Sequence, residues 1–171
     1  MKLRTLIFTG DGKGKTTAAL GMVLRAAGHG QRVLVIQFIK ADAKTGELAA
    51  CQRLPGVEIV QMGRGFVPRM TDPRFDAHRQ AALEAMERAS KAVAAGGYDL
   101  IVLDEICTAV AKNLVAEERV LELLRNASGC IVLTGRGATT ALIEMADTVT
   151  EMRCVKHGLT GGIQAQTGVE F

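Results

Sequence analysis

Short apolar runs alternate with segments of helical periodicity along most of this chain. Six runs rich in Val, Ile and Leu predict strands, over residues 3–9, 32–39, 57–62, 100–104, 130–134 and 148–153. Several are apolar almost throughout, which is typical of parallel strands covered on both faces. Strands that alternate with helices predict the α/β class, with a mostly parallel sheet of about six strands and helices on both faces.

The segments between these strands predict the helices. Asp72-Pro73 is typical of a helix start, with proline at the first helical position and aspartate as the cap, and this helix should end at Gly96-Gly97. Other helices are predicted over residues 15–27, 116–125 and 140–146, and a short one around 46–54. Residues 63–71 and the glycine-containing tail after residue 153 predict irregular structure.

Composition narrows the class of protein. The length of 171 residues predicts a single domain over 1–171, and 48% apolar with 23% charged residues is typical of a globular chain. A net charge of +3 without a dense basic cluster, and only 4% aromatic residues, argue against a nucleic-acid partner. The N-terminus lacks a signal-peptide pattern and no apolar run reaches the ~20 residues that span a bilayer, so we expect a cytoplasmic protein without a membrane partner.

The cysteines and histidines indicate neither disulfides nor a zinc site. The four cysteines are widely spaced without a C-x-x-C pair, which favours reduced thiols, and the three histidines are not at metal-ligand spacing. Lys156-His157, just before the glycine-rich tail, is a weaker candidate for ligand contact. The cysteines are residues 51, 107, 130 and 154, and the histidines are residues 29, 78 and 157.

A glycine-rich turn joins the first predicted strand to the first predicted helix. Its sequence is Thr9-Gly10-Asp11-Gly12-Lys13-Gly14-Lys15-Thr16-Thr17, which matches G-x-x-x-x-G-K-[ST] except that Thr9 replaces the first glycine. Glycines let backbone N–H groups converge on phosphate oxygens, and the helix adds the positive end of its dipole. The turn therefore predicts a phosphate site in which Lys15 binds phosphate and Thr16 offers its hydroxyl to Mg²⁺.

Acidic residues end the fourth predicted strand. Asp104-Glu105 follows four apolar residues, and in P-loop proteins such a strand end contributes to the Mg²⁺ shell. We expect Asp104 to act through water and Glu105 to orient or ligate the ion. The metal set predicted from the sequence is Thr16, Asp104 and Glu105.

Arginine supplies further candidate phosphate ligands. Arg136 lies in Thr134-Gly135-Arg136-Gly137 at the end of a predicted strand, where the carboxyl edge of a parallel sheet faces the ligand crevice. Its forked guanidinium would neutralise phosphate oxygens. Arg25, ten residues after Lys15 on the first helix, is a second candidate.

These motifs predict a nucleoside-triphosphate site without naming its reaction. The guanine-binding segment N-K-x-D of GTPases is absent from the sequence, and the extra lysine, Lys13, stands immediately before Gly14 rather than near the start of the turn as in partition-type ATPases. A small-molecule kinase would have arginines grouped in a lid, whereas the arginines of this chain are scattered.

Several segments spread along the whole chain carry a family resemblance. Beyond the turn, they include Gly28-His29-Gly30, Gln37-Phe38-Ile39-Lys40, Gly65-Phe66, Val102-Leu103-Asp104-Glu105, Thr134-Gly135-Arg136-Gly137, Ala146-Asp147-Thr148-Val149-Thr150-Glu151, Val155-Lys156-His157 and the tail Gly162-Ile163-Gln164-Ala165-Gln166-Thr167-Gly168-Val169-Glu170-Phe171. With them the chain resembles the P-loop corrinoid adenosyltransferases, which transfer the adenosyl group of ATP to the cobalt of corrinoids.

The resemblance implies a single RecA-like P-loop NTPase domain acting as a homodimer, with ATP, Mg²⁺ and a corrinoid bound and a flavoprotein as an electron donor. In this family Co(I) attacks the 5′ carbon of ATP, which is held in reverse, and triphosphate leaves. Lys15, Thr16 and Arg136, with Glu105 at the metal, would then stabilise the departing charge, assisted by Arg25.

The resemblance also gives Phe66 a role. In the family, apolar groups under the corrin exclude its lower axial ligand and make Co(II) easier to reduce, and Phe66 is the candidate for this. Better-known relatives carry a Trp two residues beyond that Phe, where this chain has Pro68. A P-loop small-molecule phosphotransferase and a non-catalytic, ATP-gated corrinoid-binding module remain as alternatives.

Overall fold

Six strands form a single sheet in the computed structural model, which describes residues 4–169. They are β1 Thr5–Thr9, β2 Val33–Gln37, β3 Val57–Gln61, β4 Leu100–Asp104, β5 Cys130–Thr134 and β6 Thr148–Glu151. Their order is β3-β2-β4-β5-β1-β6, and every pairing is parallel. All six predicted strands are confirmed. Leu3 of the first predicted strand and Glu170-Phe171 of the tail lie outside the described residues.

Helices connect the strands, as parallel pairing requires. They are α1 Lys15–Gly28, α2 Gly46–Cys51, α3 Phe75–Ala95, α4 Ile106–Ala111, α5 Glu117–Asn126 and α6 Thr140–Met145, followed by a short 3₁₀ helix at Gly158–Gly161. None of the helices within residues 4–169 is both long and apolar enough to cross a bilayer. The assignment of residues 1–171 to one domain remains a prediction.

Alternate side chains of the central strands enter two separate cores. Leu34 and Ile36 of β2 face a core built with α3, α4, α5 and α6, whereas Val33 and Val35 face a core built with α1 and α2. All five residues of β2 and of β4 are buried, which explains why these strands read as continuous apolar runs. The predicted α/β class with helices on both faces is thus confirmed.

Helix α3 begins later than predicted. Pro73 is not its first residue, because the helix starts at Phe75. The Asp72 carboxylate accepts hydrogen bonds from the backbone N–H and the guanidinium of Arg74, which lies before the helix. This local turn uses the aspartate that the sequence suggested as a helix cap.

Helix α4 was not predicted. It follows β4 after one residue, Glu105, whose backbone is left-handed at φ 65°. Such a conformation is uncommon for a residue other than glycine and allows the chain to turn directly from strand to helix. The turn places Glu105 at the carboxyl edge of the sheet.

Candidate active site

The loop between β1 and α1 packs tightly against the chain after β6. A Cβ atom at Gly10 or Gly12 would lie 2.5 or 2.7 Å from the carbonyl oxygen of Met152, so no side chain fits at either position. Gly14 has φ 104°, which favours glycine, and α1 begins at the next residue. The Gly12 N–H donates to the Met152 carbonyl at 2.7 Å, so it is already bonded and does not face the loop interior.

Lys15 places its ammonium group inside this loop. Its Nζ donates to the carbonyl oxygens of Gly10 at 2.8 Å and Gly12 at 2.7 Å, and the residue is only 7% exposed. Burial lowers the pKa of Lys15; the charge of Arg136 lowers it as well, while Glu105 and Asp11 oppose the shift. The loop thus holds a largely desolvated cation with two carbonyl oxygens as its partners.

A buried carboxylate lies beneath the loop. Asp104 is 1% exposed, and its Oδ1 accepts hydrogen bonds from the hydroxyls of Thr16 and Thr134, both at 2.7 Å. Its Oδ2 accepts a hydrogen bond from Gln37 Nε2 at 2.9 Å. Parallel pairing explains this cluster, because Gln37 is the register partner of Asp104 and β5 brings Thr134 to the same edge.

Glu105 and Arg136 are joined through a threonine on α4. The Thr108 hydroxyl donates to the Glu105 carboxylate and accepts from the Arg136 backbone N–H at 2.9 Å. The Glu105 N–H donates to the Thr134 hydroxyl at 2.9 Å. The Arg136 guanidinium extends over the loop, with Nη2 3.4 Å from the Asp11 carbonyl oxygen and Nε 3.8 Å from the Asp11 carboxylate. That ion pair is exposed and so contributes little, which leaves the guanidinium available to an anion.

These residues suit Mg²⁺ better than a metal held by protein ligands alone. No group of three or more His, Cys, Asp or Glu side chains in the part of the chain described could hold a metal. Mg²⁺ commonly uses one or two side chains together with phosphate oxygens and water. Both Asp104 oxygens already accept hydrogen bonds, so this carboxylate fits a contact through water, while the Thr16 hydroxyl and the Glu105 carboxylate are candidates for the direct ligands.

One cavity of about 940 Å³ opens at this edge of the sheet. Nine of the predicted site residues line it: Gly12, Lys13, Gly14, Lys15, Thr16, Thr17, Phe66, Glu105 and Arg136. Sequence reasoning assigned no role to several other lining residues, among them Ile39, Lys40, Glu47, Val67, Thr108, Lys112 and Val169. The cavity therefore extends from the phosphate loop to the segment that carries Phe66.

Comparison with known proteins identifies the family. The family model described as ATP:corrinoid adenosyltransferase BtuR/CobO/CobP matches residues 2–171. The chain belongs to this family. The corrinoid adenosyltransferase of Pseudomonas aeruginosa is 45% identical over 97% of this chain and 82% of that protein. The corrinoid adenosyltransferase of Escherichia coli K12 is 38% identical over 97% of this chain and 84% of that protein.

A solved structure supports the fold alone. The flagellar accessory protein FlaH from Methanocaldococcus jannaschii superposes with a TM-score of 0.58 at 9% identity, covering 87% of this chain and 70% of that one. The likeness therefore concerns the α/β architecture of this adenosyltransferase-family chain and not its chemistry.

Phe66 stands at the mouth of the cavity of this family member. It is 92% exposed, whereas Val67 beside it is buried. Phe66 also lines a smaller groove of about 470 Å³ together with Pro68 and Arg69. Phe66 therefore presents an apolar side chain to both the cavity and the groove.

Four predicted residues do not line the cavity. Gly10 and Asp11 form the outer part of the phosphate loop, and Asp104 lies beneath the cavity floor. Arg25 is exposed in the last turn of α1, ten residues and about 15 Å along the helix from Lys15. The fold does not bring Arg25 to the other candidates, and its phosphate-binding role remains a prediction.

Sequence reasoning gave no role to Gln37, Thr134 or Glu47. Gln37 and Thr134 each end an apolar strand, as Asp104 does, and all three meet at the same edge. A polar residue at the carboxyl end of a buried strand is therefore the signal that could have found the first two. Glu47, in the first turn of a short helix within a polar segment, offered no comparable signal.

Proposed function

We propose that this chain transfers the 5′-deoxyadenosyl group of ATP to the Co(I) centre of a corrinoid and releases triphosphate. The observation that carries the proposal is one cavity that joins the Lys15 phosphate loop to the exposed Phe66. Its volume of about 940 Å³ is near the upper end of the usual range for small-molecule sites. Membership in the corrinoid adenosyltransferase family supports the same reaction.

In the proposed reaction the Co(I) substrate donates its electron pair to the 5′ carbon of ATP. A cobalt–carbon bond forms, the bond from that carbon to the triphosphate oxygen breaks, and the cobalt becomes Co(III). The leaving triphosphate gains negative charge, which the Lys15 ammonium and the Arg136 guanidinium would stabilise from preorganised positions. No side-chain nucleophile is needed, and catalysis would be positioning plus electrostatics.

Mg²⁺ belongs to this proposal as the partner of the triphosphate. Thr16 and Glu105 would hold the ion with phosphate oxygens, and Asp104 would act through water. When bound, Mg²⁺ would neutralise phosphate charge. The chain's own contribution is orientation, because Asp104 fixes the Thr16 hydroxyl at 2.7 Å.

Phe66 would lie against the lower face of the corrin. Excluding the lower axial ligand there would make Co(II) easier to reduce, and the 92% exposure of Phe66 supports a ligand-facing role.

Product analysis tests the proposed reaction. ATP, Mg²⁺, a reductant and cobalamin are incubated with the full chain, and the products are followed by the visible spectrum and phosphorus NMR. We expect a light-sensitive cobalt–carbon product and free triphosphate in equal amounts. ADP with a phosphorylated acceptor would instead indicate a phosphotransferase, and tight ATP binding without turnover would indicate a binding module.

A homodimer, a flavoprotein electron donor and a cytoplasmic location complete the proposal. The four residues of the edge strand β6 are all exposed, which supports association through that side of the sheet. Sedimentation of the purified chain tests the dimer, and reduction by a purified flavoprotein tests the donor.

A further inference from the structure

A threonine in the first turn of α4 lies between two candidate ligands that come from different strands. The Thr108 hydroxyl donates to the Glu105 carboxylate and accepts a hydrogen bond from the Arg136 backbone N–H at 2.9 Å. Glu105 follows β4 and Arg136 follows β5, so this hydroxyl bridges two loops at the carboxyl edge of the sheet. Because a hydroxyl has a single proton to donate, the two bonds fix its direction.

The backbone of Glu105 makes its side chain dependent on such a partner. Its φ of 65° lies in the left-handed region, which costs a residue other than glycine on the order of 1–3 kcal/mol and persists only where neighbours enforce it. The Glu105 N–H donates to the Thr134 hydroxyl at 2.9 Å, which holds the backbone. Within the described part of the chain, the carboxylate accepts from the Thr108 hydroxyl rather than from a backbone N–H of α4. Thr108 therefore orients the carboxylate.

The loop that carries Arg136 is packed against the same threonine. Gly135 has φ 130°, and a Cβ atom there would lie 2.7 Å from the Thr108 backbone nitrogen and 2.8 Å from its hydroxyl oxygen. Further along α4, a Cβ atom at Gly137 would lie 2.9 Å from the Ala111 Cβ. The loop thus has little room to shift relative to α4, and Thr108 provides the acceptor for its central N–H.

We propose that Thr108 is a positioning residue that holds the Glu105 carboxylate and the Arg136 loop in one arrangement, so that Mg²⁺ and triphosphate are bound by a single prearranged unit. All three residues line the cavity. By donating to Glu105, Thr108 orients the carboxylate proposed to hold the ion; by accepting from Arg136, it places the guanidinium proposed to hold phosphate. The inference rests on the ATP site of the proposed function and does not depend on the acceptor of the adenosyl group.

The first test measures by calorimetry how ATP binding depends on Mg²⁺, without any corrinoid. Thr108→Val removes the hydroxyl at similar volume. We expect the Mg²⁺ concentration for half-maximal ATP binding to rise about 10–100-fold, the usual effect of removing a group that orients a metal ligand. Thr108→Ser restores the hydroxyl and should return this concentration to within about twofold of the unmodified chain. An equal loss in Thr108→Ser would contradict a role for the hydroxyl.

The second test measures affinity for inorganic triphosphate in EDTA, where no metal takes part. Thr108→Val should lower it roughly 3–10-fold, the effect of losing one ordinary hydrogen bond that places the loop. In an Arg136→Ala chain the same change should have less than about a twofold effect, because the guanidinium that Thr108 places is already absent. An undiminished effect in that chain would show that Thr108 does not act through Arg136.

A double-mutant cycle applies the same logic to the metal. In a Glu105→Gln chain, Thr108→Val should raise the Mg²⁺ requirement by no more than about a further twofold, because the carboxylate that it orients is already absent. If the two losses simply added, Thr108 would act independently of Glu105.

Thr139→Val is the matched control. The Thr139 hydroxyl, at the start of α6, donates to the Glu117 carboxylate and accepts from the Leu142 N–H at 3.4 Å, so the same two kinds of bond are removed elsewhere in the fold. We expect the Mg²⁺ requirement and the triphosphate affinity to stay within about twofold of the unmodified chain. If thermal unfolding shows that Thr108→Val does not fold, Thr108→Ala replaces it, since alanine places no methyl group against the Arg136 loop.

The outcomes separate this inference from the function itself. If Thr108→Val changes neither measurement, changes only one of them, or changes both no more than Thr139→Val does, the single arrangement is overturned and the proposed function stands. A chain that binds neither ATP with Mg²⁺ nor triphosphate contradicts both.

Discussion

Replacing Lys15 tests the central electrostatic argument, because its Nζ lies 2.8 and 2.7 Å from two loop carbonyls and the residue is only 7% exposed. Folding already removes most of the water from the Lys15 ammonium group, so phosphate oxygens can replace these carbonyl partners at little further desolvation cost. A hydrogen bond to a charged group contributes about 1.5–3 kcal/mol. If two phosphate oxygens of bound ATP take the place of the two carbonyls, Lys15→Ala should remove about 3–6 kcal/mol, or about 10²–10⁴-fold in kcat/KM.

The assay follows initial rates of cobalt–carbon bond formation from pre-reduced cob(I)alamin at varied ATP. Since triphosphate is the proposed leaving group, kcat should fall as well as affinity for ATP, because the charge grows in the transition state. Lys91→Ala is the matched control: Lys91 is exposed on α3, and within residues 4–169 its ion pair is with Glu87 of the same helix. A Lys15→Ala enzyme with near-normal kcat/KM, or a Lys91→Ala enzyme with an equal loss, would refute the assigned role.

The pH profile gives the same argument a second readout. Burial favours the neutral amine, so Lys15 loses its proton at lower pH than the ordinary value of 10.5. The value of kcat/KM for ATP, which reports the free enzyme, should therefore decline on the alkaline side with a midpoint below 10.5. Bound phosphate favours the ammonium form of Lys15, so kcat should be maintained to higher pH than kcat/KM. If kcat and kcat/KM declined with the same midpoint, the proposed contact between Lys15 and phosphate would be contradicted.

Three further experiments test other parts of the structure. Phe66→Ala should alter the free energy of unfolding by less than about 0.5 kcal/mol, since the side chain is 92% exposed. It should nevertheless slow turnover that starts from Co(II) more than turnover that starts from Co(I). Equal losses of rate in the two assays would exclude a redox role for Phe66. Gly63→Ala should lower the free energy of unfolding, measured by chemical denaturation, by on the order of 3 kcal/mol, because its Cβ would lie 2.1 Å from the backbone carbonyl carbon of Ile39. Gly21→Ala, at an exposed position in α1, should instead raise it by roughly 0.5–1 kcal/mol. The same change in both variants would contradict the close packing at Gly63. Burial, assisted by the charge of Glu105, raises the pKa of Cys107 to about 12. A thiol reagent at neutral pH should therefore label the exposed Cys154 in the native protein and should label Cys107 only after unfolding. Mass spectrometry of the labelled peptides measures both.

The sequence by itself determined the six strands, most of the helices and the phosphate loop. Strands such as β2 and β4 were predictable because burial on both faces makes them continuously apolar, and the loop was predictable because its chemistry lies within nine consecutive residues, Thr9 to Thr17. Family resemblance likewise drew on local segments. These features depend on neighbours in the chain, so local pattern is sufficient to find them.

The tertiary structure alone decided which distant residues meet. The strand order places Gln37 in register with Asp104 and brings Thr134 within 2.7 Å of the same carboxylate, although each residue lies on a different strand. It also leaves Arg25 a helix length away from Lys15 and turns Glu105 through a left-handed backbone into the cavity. Hydrogen bonding and burial act between residues that are neighbours in space. Because the strand order of this sheet differs from the order of the strands along the chain, separation in the sequence does not predict which residues become neighbours.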